Sequence, residues 1–122
     1  FEVAFAGLGC FPNGRQPLVL WIGVEEPTGA LRRLQSAVEQ ELARAGFARE
    51  ARAYTPHLTL ARIRDQATGP ERAELGAWFG RLSVDRLGPM RVCEVSLMQS
   101  ELRPTGAVYA CLQAAPLRSG EA

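Results

Sequence analysis

The stretch Pro56-His57-Leu58-Thr59-Leu60-Ala61-Arg62-Ile63-Arg64 decides how this sequence is best interpreted. Its alternation of polar and apolar residues predicts a β-strand, with His57 and Thr59 on one face. Leu58 and Leu60 then point to the other face, where we expect them to anchor the strand on the core. That face then presents an imidazole and a hydroxyl about 7 Å apart along the strand. Pro56 cannot donate to a ladder, so it suits the start of a strand or an edge strand.

The residues around this stretch alternate between strand and helix patterns. In the clearest helix, Thr28 is the expected N-cap and Gly46 the expected end, because apolar residues repeat between them every three or four positions. We expect strands over residues 1–9, 18–24, 55–63, 90–99 and 106–115, helices over 28–46 and 70–79, and a loop over 100–105. This order predicts an α+β fold with a mostly antiparallel sheet and helices packed on its outer face. We expect one domain over residues 1–117 and a polar tail over 118–122.

Composition excludes several classes of function. The 122 residues carry a net charge of +1, which is too small for a protein that wraps nucleic acid through a polybasic surface. No apolar run approaches the roughly 18 residues of a membrane span. All 14 basic residues are Arg, so Schiff-base chemistry, a lysine base and a P-loop lysine are excluded.

The chain contains three cysteines, Cys10, Cys93 and Cys111, at wide and unrelated spacings. An odd number without a C-x-x-C pair predicts neither a disulfide framework nor a zinc site. We expect these residues to be small buried hydrophobes in a reducing compartment, the cytoplasm. His57 is the only histidine, and no metal or other cofactor is implied.

Considered alone, His57 can exchange a proton near neutral pH, and the Thr59 hydroxyl can hold a phosphate oxygen. Arg62 and Arg64 could add bidentate charge for a phosphate. Arg62, however, has the opposite strand parity to His57, so it joins the same face only if the strand bulges or ends near Ala61. A His-Thr pair and two arginines are also typical of a solvated strand surface.

The stretch resembles the second His-x-Thr motif of the 2H phosphoesterase superfamily, and more narrowly that of the RNA 2',3'-cyclic phosphodiesterases, also called 2'-5' RNA ligases. Other stretches agree with the family in the same order, so the resemblance covers almost the whole chain. They are residues 7–12, 20–24, 45–47 and 95–97, followed by Ser100, Gly106 and Tyr109.

The resemblance implies that His57 and Thr59 line a catalytic cleft and that Arg62 contacts the phosphate. It also implies a bilobal fold with two such motifs, one in each lobe. Only one is present here, so we expect this chain to be the C-terminal portion of the domain, with the N-terminal part and one catalytic His missing.

The activity implied is hydrolysis of a 2',3'-cyclic phosphate on RNA or a nucleotide to a 2'-phosphate, without a metal. Formation of 2'-5' linkages between RNA ends is implied as an additional activity. Two alternatives remain open at this point: a 2H-like module that binds nucleotides or RNA without turnover, and an unrelated α+β scaffold without phosphate affinity. The sequence indicates no oligomeric state.

Overall fold

A computed structural model of the chain describes residues 1–118. In chain order it contains β1 (Glu2–Phe11), β2 (Val19–Glu25), α1 (Ala30–Arg44), β3 (His57–Arg62), α2 (Gly69–Gly80), β4 (Leu87–Arg91), β5 (Glu94–Arg103) and β6 (Gly106–Pro116). The pairs β1–β2, β2–β3 and β5–β6 are antiparallel. The α+β prediction with a mostly antiparallel sheet is therefore confirmed.

The described residues form two compact units, one over Glu2–Met90 and the other over residues 91–118 together with Phe1. The single domain over residues 1–117 stays a prediction. Except for Arg118, the predicted tail over 118–122 lies outside the described residues.

A four-stranded sheet in the order β3-β2-β1-β4 forms the centre of the first unit. Within this sheet β3 is an edge strand, as Pro56 suggested, but it begins at His57 and not at the predicted residue 55. The buried side chains of Val3, Leu20 and Ile22 share one sheet face. His57 lies on the opposite face, because it pairs with Gly23 of β2.

Two β-bulges interrupt this sheet. In β1 the register shifts between Ala6 and Leu8, so Gly7 is the extra residue, with a φ of 75° that favours glycine. In β3, Thr59 pairs with Trp21 whereas Ala61 pairs with Leu20, so Leu60 is the extra residue. The prediction that β1 ends at Gly9 was wrong, because the strand passes its glycines and continues to Phe11.

Helix α2 packs against β1. It starts with a capping box in which the Thr68 hydroxyl accepts the Glu71 N–H at 3.2 Å and the Glu71 carboxylate accepts the Thr68 N–H at 3.0 Å. Phe79 and Gly76 are its buried residues. A Cβ at Gly76 would lie 1.9 Å from the carbonyl oxygen of Gly14, so this helix approaches the loop before β2 at backbone contact distance.

Helix α1 corrects two predictions. Its N-cap is Gly29 and not Thr28, because the Glu26 carboxylate binds the Thr28 hydroxyl and accepts the Leu31 N–H at 3.1 Å. Its predicted apolar face is only partly covered, since Leu31 and Leu34 are half-buried whereas Val38 and Leu42 are exposed. Its end is as expected, since Gly46 follows the helix with a φ of 97°.

The second unit contains the β5–β6 hairpin, whose last pair joins Arg103 to Gly106. The predicted loop over 100–105 is therefore a two-residue turn at Pro104 and Thr105. The strand predicted over 90–99 is two strands, β4 and β5, separated at Val92 and Cys93. Strand β4 also includes Pro89, just before the predicted start, because β4 is an edge strand, where proline is tolerated.

The cysteines are free, as predicted, but they are not buried core residues. Cys93 and Cys111 are exposed and Cys10 is half-buried. Partial burial raises the pKa of the Cys10 thiol.

Candidate active site

The bulge in β3 places the three predicted site residues on one sheet face. A regular strand would turn Arg62 away from His57, but the extra residue Leu60 restores the parity, and Arg62 pairs with Val19 on the face that carries Thr59. A cavity of about 480 Å³ opens there, within the ~300–1,000 Å³ typical of ligand sites. Its lining consists of Phe11, Val19, Glu50, Arg52, Ala53, Thr55, His57, Thr59 and Arg62.

The His57 ring is oriented by a backbone hydrogen bond and by an aromatic contact. Its Nδ1 lies 2.7 Å from the carbonyl oxygen of Thr55. A carbonyl oxygen only accepts, so Nδ1 carries the hydrogen, and Nε2 is the nitrogen left for chemistry. The Phe11 ring meets the imidazole edge-on, at a centroid distance of 4.8 Å and an interplanar angle of 89°.

Trp21 forms the floor beneath these two rings. Its centroid lies 5.1 Å from Phe11 and 6.1 Å from His57. The indole lies directly over Gly9, where a Cβ would be only 2.3 Å from two ring carbons. Its Nε1 is buried and has no hydrogen-bond partner among residues 1–118. The absence of a side chain at Gly9 is therefore what allows the aromatic floor to form.

The leucines of the motif do not act as the predicted anchors. Leu58 lies on the face opposite His57, as expected, but its exposed fraction is 50%. Leu60 is the bulged residue and is 53% exposed. The expectation that both are buried was wrong, because β3 lies at the sheet edge and the bulge removes Leu60 from the alternation.

Arg64 does not reach the His57 cavity. It lines a second cavity of about 420 Å³, together with Leu20 and Ala61 of the opposite sheet face and Leu75 of α2. Of the two arginines considered for phosphate, only Arg62 lines the His57 cavity.

Comparison with known proteins identifies the family. A family model of the 2'-5' RNA ligase superfamily matches residues 1–103. The chain belongs to this superfamily. The predicted resemblance of the sequence to this family is thereby confirmed.

Among superfamily relatives, an RNA 2',3'-cyclic phosphodiesterase from Methanothermobacter thermautotrophicus is 42% identical over 109 residues, covering 89% of this chain and 56% of the relative. One from Aeropyrum pernix is 37% identical over 112 residues, covering 92% and 62%. A crystal structure of a protein from Thermus thermophilus is similar with a TM-score of 0.65 and 28% identity, covering 99% of this chain and 62% of that chain. The chain thus spans about six tenths of the length of the curated relatives.

Four residues at the candidate site were not predicted from the sequence. Phe11 and Trp21 come from segments predicted as a turn-rich loop and an apolar strand, and only the strand register brings them beside His57. The connector before β3, predicted as merely polar, contributes Glu50 and Arg52. No local pattern marks a connector residue as part of a cavity, since that depends on how α1 and β3 are joined.

Residues 1–118 contain no group of three or more His, Cys, Asp or Glu side chains that could hold a metal ion. No helix within the same residues has the length and apolar character needed to cross a membrane.

Proposed function

We propose that the protein hydrolyses 2',3'-cyclic phosphates at RNA or nucleotide ends to 2'-phosphates, using His57, Thr59 and Arg62. The observation that carries the proposal is the bulge at Leu60, which puts an imidazole, a hydroxyl and a guanidinium on one cavity wall. These are the groups that phosphate-ester chemistry needs: a proton carrier and two ligands for phosphate oxygens. The names of the curated relatives described above support the same reaction.

In this mechanism His57 acts as the general base. Its Nδ1 is engaged by the Thr55 carbonyl, so the Nε2 lone pair is free to take a proton from the attacking water. The water oxygen bonds to phosphorus while the bond from phosphorus to O3' breaks, and O3' takes up a proton. Arg62 and the Thr59 hydroxyl hold the non-bridging oxygens, on which negative charge is shared in the transition state.

The proton for O3' must come from a second acid. The nucleophile and the leaving oxygen lie on opposite sides of phosphorus, so one imidazole cannot serve both in one step. His57 is the only histidine of the 122 residues. We therefore assign the acid to a second histidine outside these residues. Joining of RNA ends through a 2'-5' linkage would use the same two groups in the same roles, with a 5'-hydroxyl attacking phosphorus in place of water.

The proposed reaction involves no metal or other cofactor, since the imidazoles move the protons and Arg62 supplies the positive charge. We place the protein in the cytoplasm, in keeping with its three free thiols.

The test is to incubate the intact protein with adenosine 2',3'-cyclic phosphate and identify the product by chromatography. We expect the 2'-phosphate, and we expect EDTA to leave the rate unchanged. The same assay compares the variant Arg62→Ala with Arg44→Ala as its matched control. Arg44 is a suitable control because it is an exposed arginine of α1 that pairs with Glu41. A 3'-phosphate product would contradict the assigned leaving oxygen. Binding of the nucleotide without turnover would favour the non-catalytic module instead.

A further inference from the structure

The cavity contains a second guanidinium that the mechanism above does not use. Arg52, on the connector between α1 and β3, lines the same cavity as His57 and Arg62. Within residues 1–118, the carboxylate ion pairs involve other arginines, so Arg52 and Arg62 are not neutralised there. Both side chains are exposed and can meet an anion that enters the cavity.

A single carboxylate, that of Glu50, shares the lining with these two arginines. Its Oε1 accepts the backbone N–H of Arg52 at 3.3 Å. The backbone N–H of Glu50 in turn donates to Oε2 of Glu39 in α1, at 3.2 Å. The connector is therefore tied to the helix, and the wall keeps two formal positive charges against one negative.

One cyclic phosphate carries a single negative charge, which Arg62 alone can bind in a bidentate manner. A second guanidinium in the same cavity, carried by the connector, fits a second phosphate. In an RNA chain the next phosphodiester is attached to the 5' side of the terminal nucleoside, whereas a cyclic mononucleotide has no such group.

We propose that Arg52 binds this second phosphate, so that the site selects cyclic-phosphate ends of RNA chains over free cyclic mononucleotides. The inference rests on the proposed function and adds to it a preference for substrates longer than one nucleotide. Arg52 is a binding residue in this scheme and takes no part in proton transfer.

The experiment compares two substrates with the same reacting end: adenosine 2',3'-cyclic phosphate and a tetraribonucleotide that terminates in it. We expect Arg52→Ala to lower kcat/KM on the tetranucleotide about tenfold or more, since a charge-assisted contact is lost, and to change the mononucleotide value less than about twofold. The slope of log kcat/KM against log salt should become shallower by about 0.7 on the tetranucleotide. Arg52→Lys should keep this slope because it keeps the charge. Arg62→Ala should impair both substrates, and Arg44→Ala neither.

Equal loss on both substrates, or no loss on either, would overturn the role of Arg52. A second measurement separates this inference from the hydrolase proposal: fluorescence anisotropy of a labelled tetranucleotide ending in a 2'-phosphate, which needs no turnover. Weaker binding by Arg52→Ala, together with an inactive wild type, would reject the hydrolase and retain the phosphate site. If the wild type is active and Arg52→Ala binds the tetranucleotide and selects between the two substrates as the wild type does, the phosphate site at Arg52 is rejected and the hydrolase proposal is retained.

Discussion

Gly9→Ala is the substitution that most directly tests how the fold builds the site. Gly9 pairs with Trp21, and its missing side chain leaves the space that the indole fills. An added Cβ would lie 2.3 Å from the indole Cζ2 and Cη2 atoms. Carbon atoms in ordinary contact are about 3.5–4.0 Å apart, so the ring must move by more than about 1 Å.

The expected cost follows from this overlap. Overpacking a well-packed site typically destabilises a protein by about 1–3 kcal/mol, and we expect Gly9→Ala to fall in this range. In the wild-type structure the indole centroid lies 6.1 Å from that of His57 and 5.1 Å from that of Phe11, and Phe11 in turn contacts His57. Displacing the indole should therefore disturb the position of His57. A shift of about 1 Å in a positioned catalytic group can lower the rate by about a hundredfold, so activity should fall together with stability.

The assay is urea unfolding followed by circular dichroism, combined with turnover of the cyclic mononucleotide. Gly14→Ala is the matched control, since a Cβ there meets nothing within 4 Å. The double variant Gly9→Ala/Trp21→Leu provides the decisive comparison, because without the indole the extra methyl has no ring to displace. A Gly9→Ala variant within about 0.5 kcal/mol of wild type, the range of neutral surface changes, would refute the predicted overlap. An equal cost in the Trp21→Leu background would refute it as well.

Four further predictions concern the site and helix α2. His57→Ala should reduce turnover to less than about a tenth of wild type, because a general base contributes about 10²-fold or more. The circular dichroism spectrum should stay unchanged, because this side chain is exposed. A variant that retains more than this rate would refute the role of His57 as general base. Arg62→Ala should lower kcat/KM at least about tenfold and Arg62→Lys should not restore it fully, because the planar fork is lost; full activity of the lysine variant would argue against bidentate binding. Thr68→Ala should lower the stability measured in urea by about 0.5–2 kcal/mol through loss of the helix cap. Hydrogen bonds with the Thr68 backbone N–H and, to a lesser extent, with its side chain lower the pKa of Glu71. At neutral pH wild type should therefore be more stable in urea than Glu71→Gln. This difference should disappear as the pH falls through the lowered pKa, because Glu71 then becomes protonated.

Elements in which apolar residues recur at a regular helical or strand spacing could be predicted from the sequence. Gly46 is the expected end of helix α1, and the helix ends two residues earlier, at Arg44, with Gly46 in the left-handed region. The strand boundaries were less accurate near glycine and proline. Gly7 is absorbed as a bulge, and Pro89 lies inside the edge strand β4, so neither residue ends its strand. Whether such residues break a strand depends on the neighbouring strand, which a local pattern does not contain.

The aromatic residues beside His57, Trp21 and Phe11, show a second reason why part of the site could not be predicted from the sequence. Trp21 occupies a run of apolar residues that predicts only a buried strand, and Phe11 stands beside a turn. Their contact with His57 depends on the registers of β1 with β2 and of β2 with β3, that is, on pairings between segments far apart in sequence. Local propensity carries no information about such registers, so these residues could not be assigned to the site in advance.

The spacing of the motif explains why a bulge was one of the two expected ways for Arg62 to reach the face of His57. Thr59 and Arg62 are separated by three positions, an odd number, which puts them on opposite faces of any regular strand. If both must contact one phosphate, the strand has to gain one unpaired residue between them, and Leu60 is that residue. An edge strand such as β3 accommodates the bulge because it is paired on one side within the described sheet. The spacing His-x-Thr-x-x-Arg on a strand is therefore itself a bulge signal whenever chemistry requires all three side chains on one face.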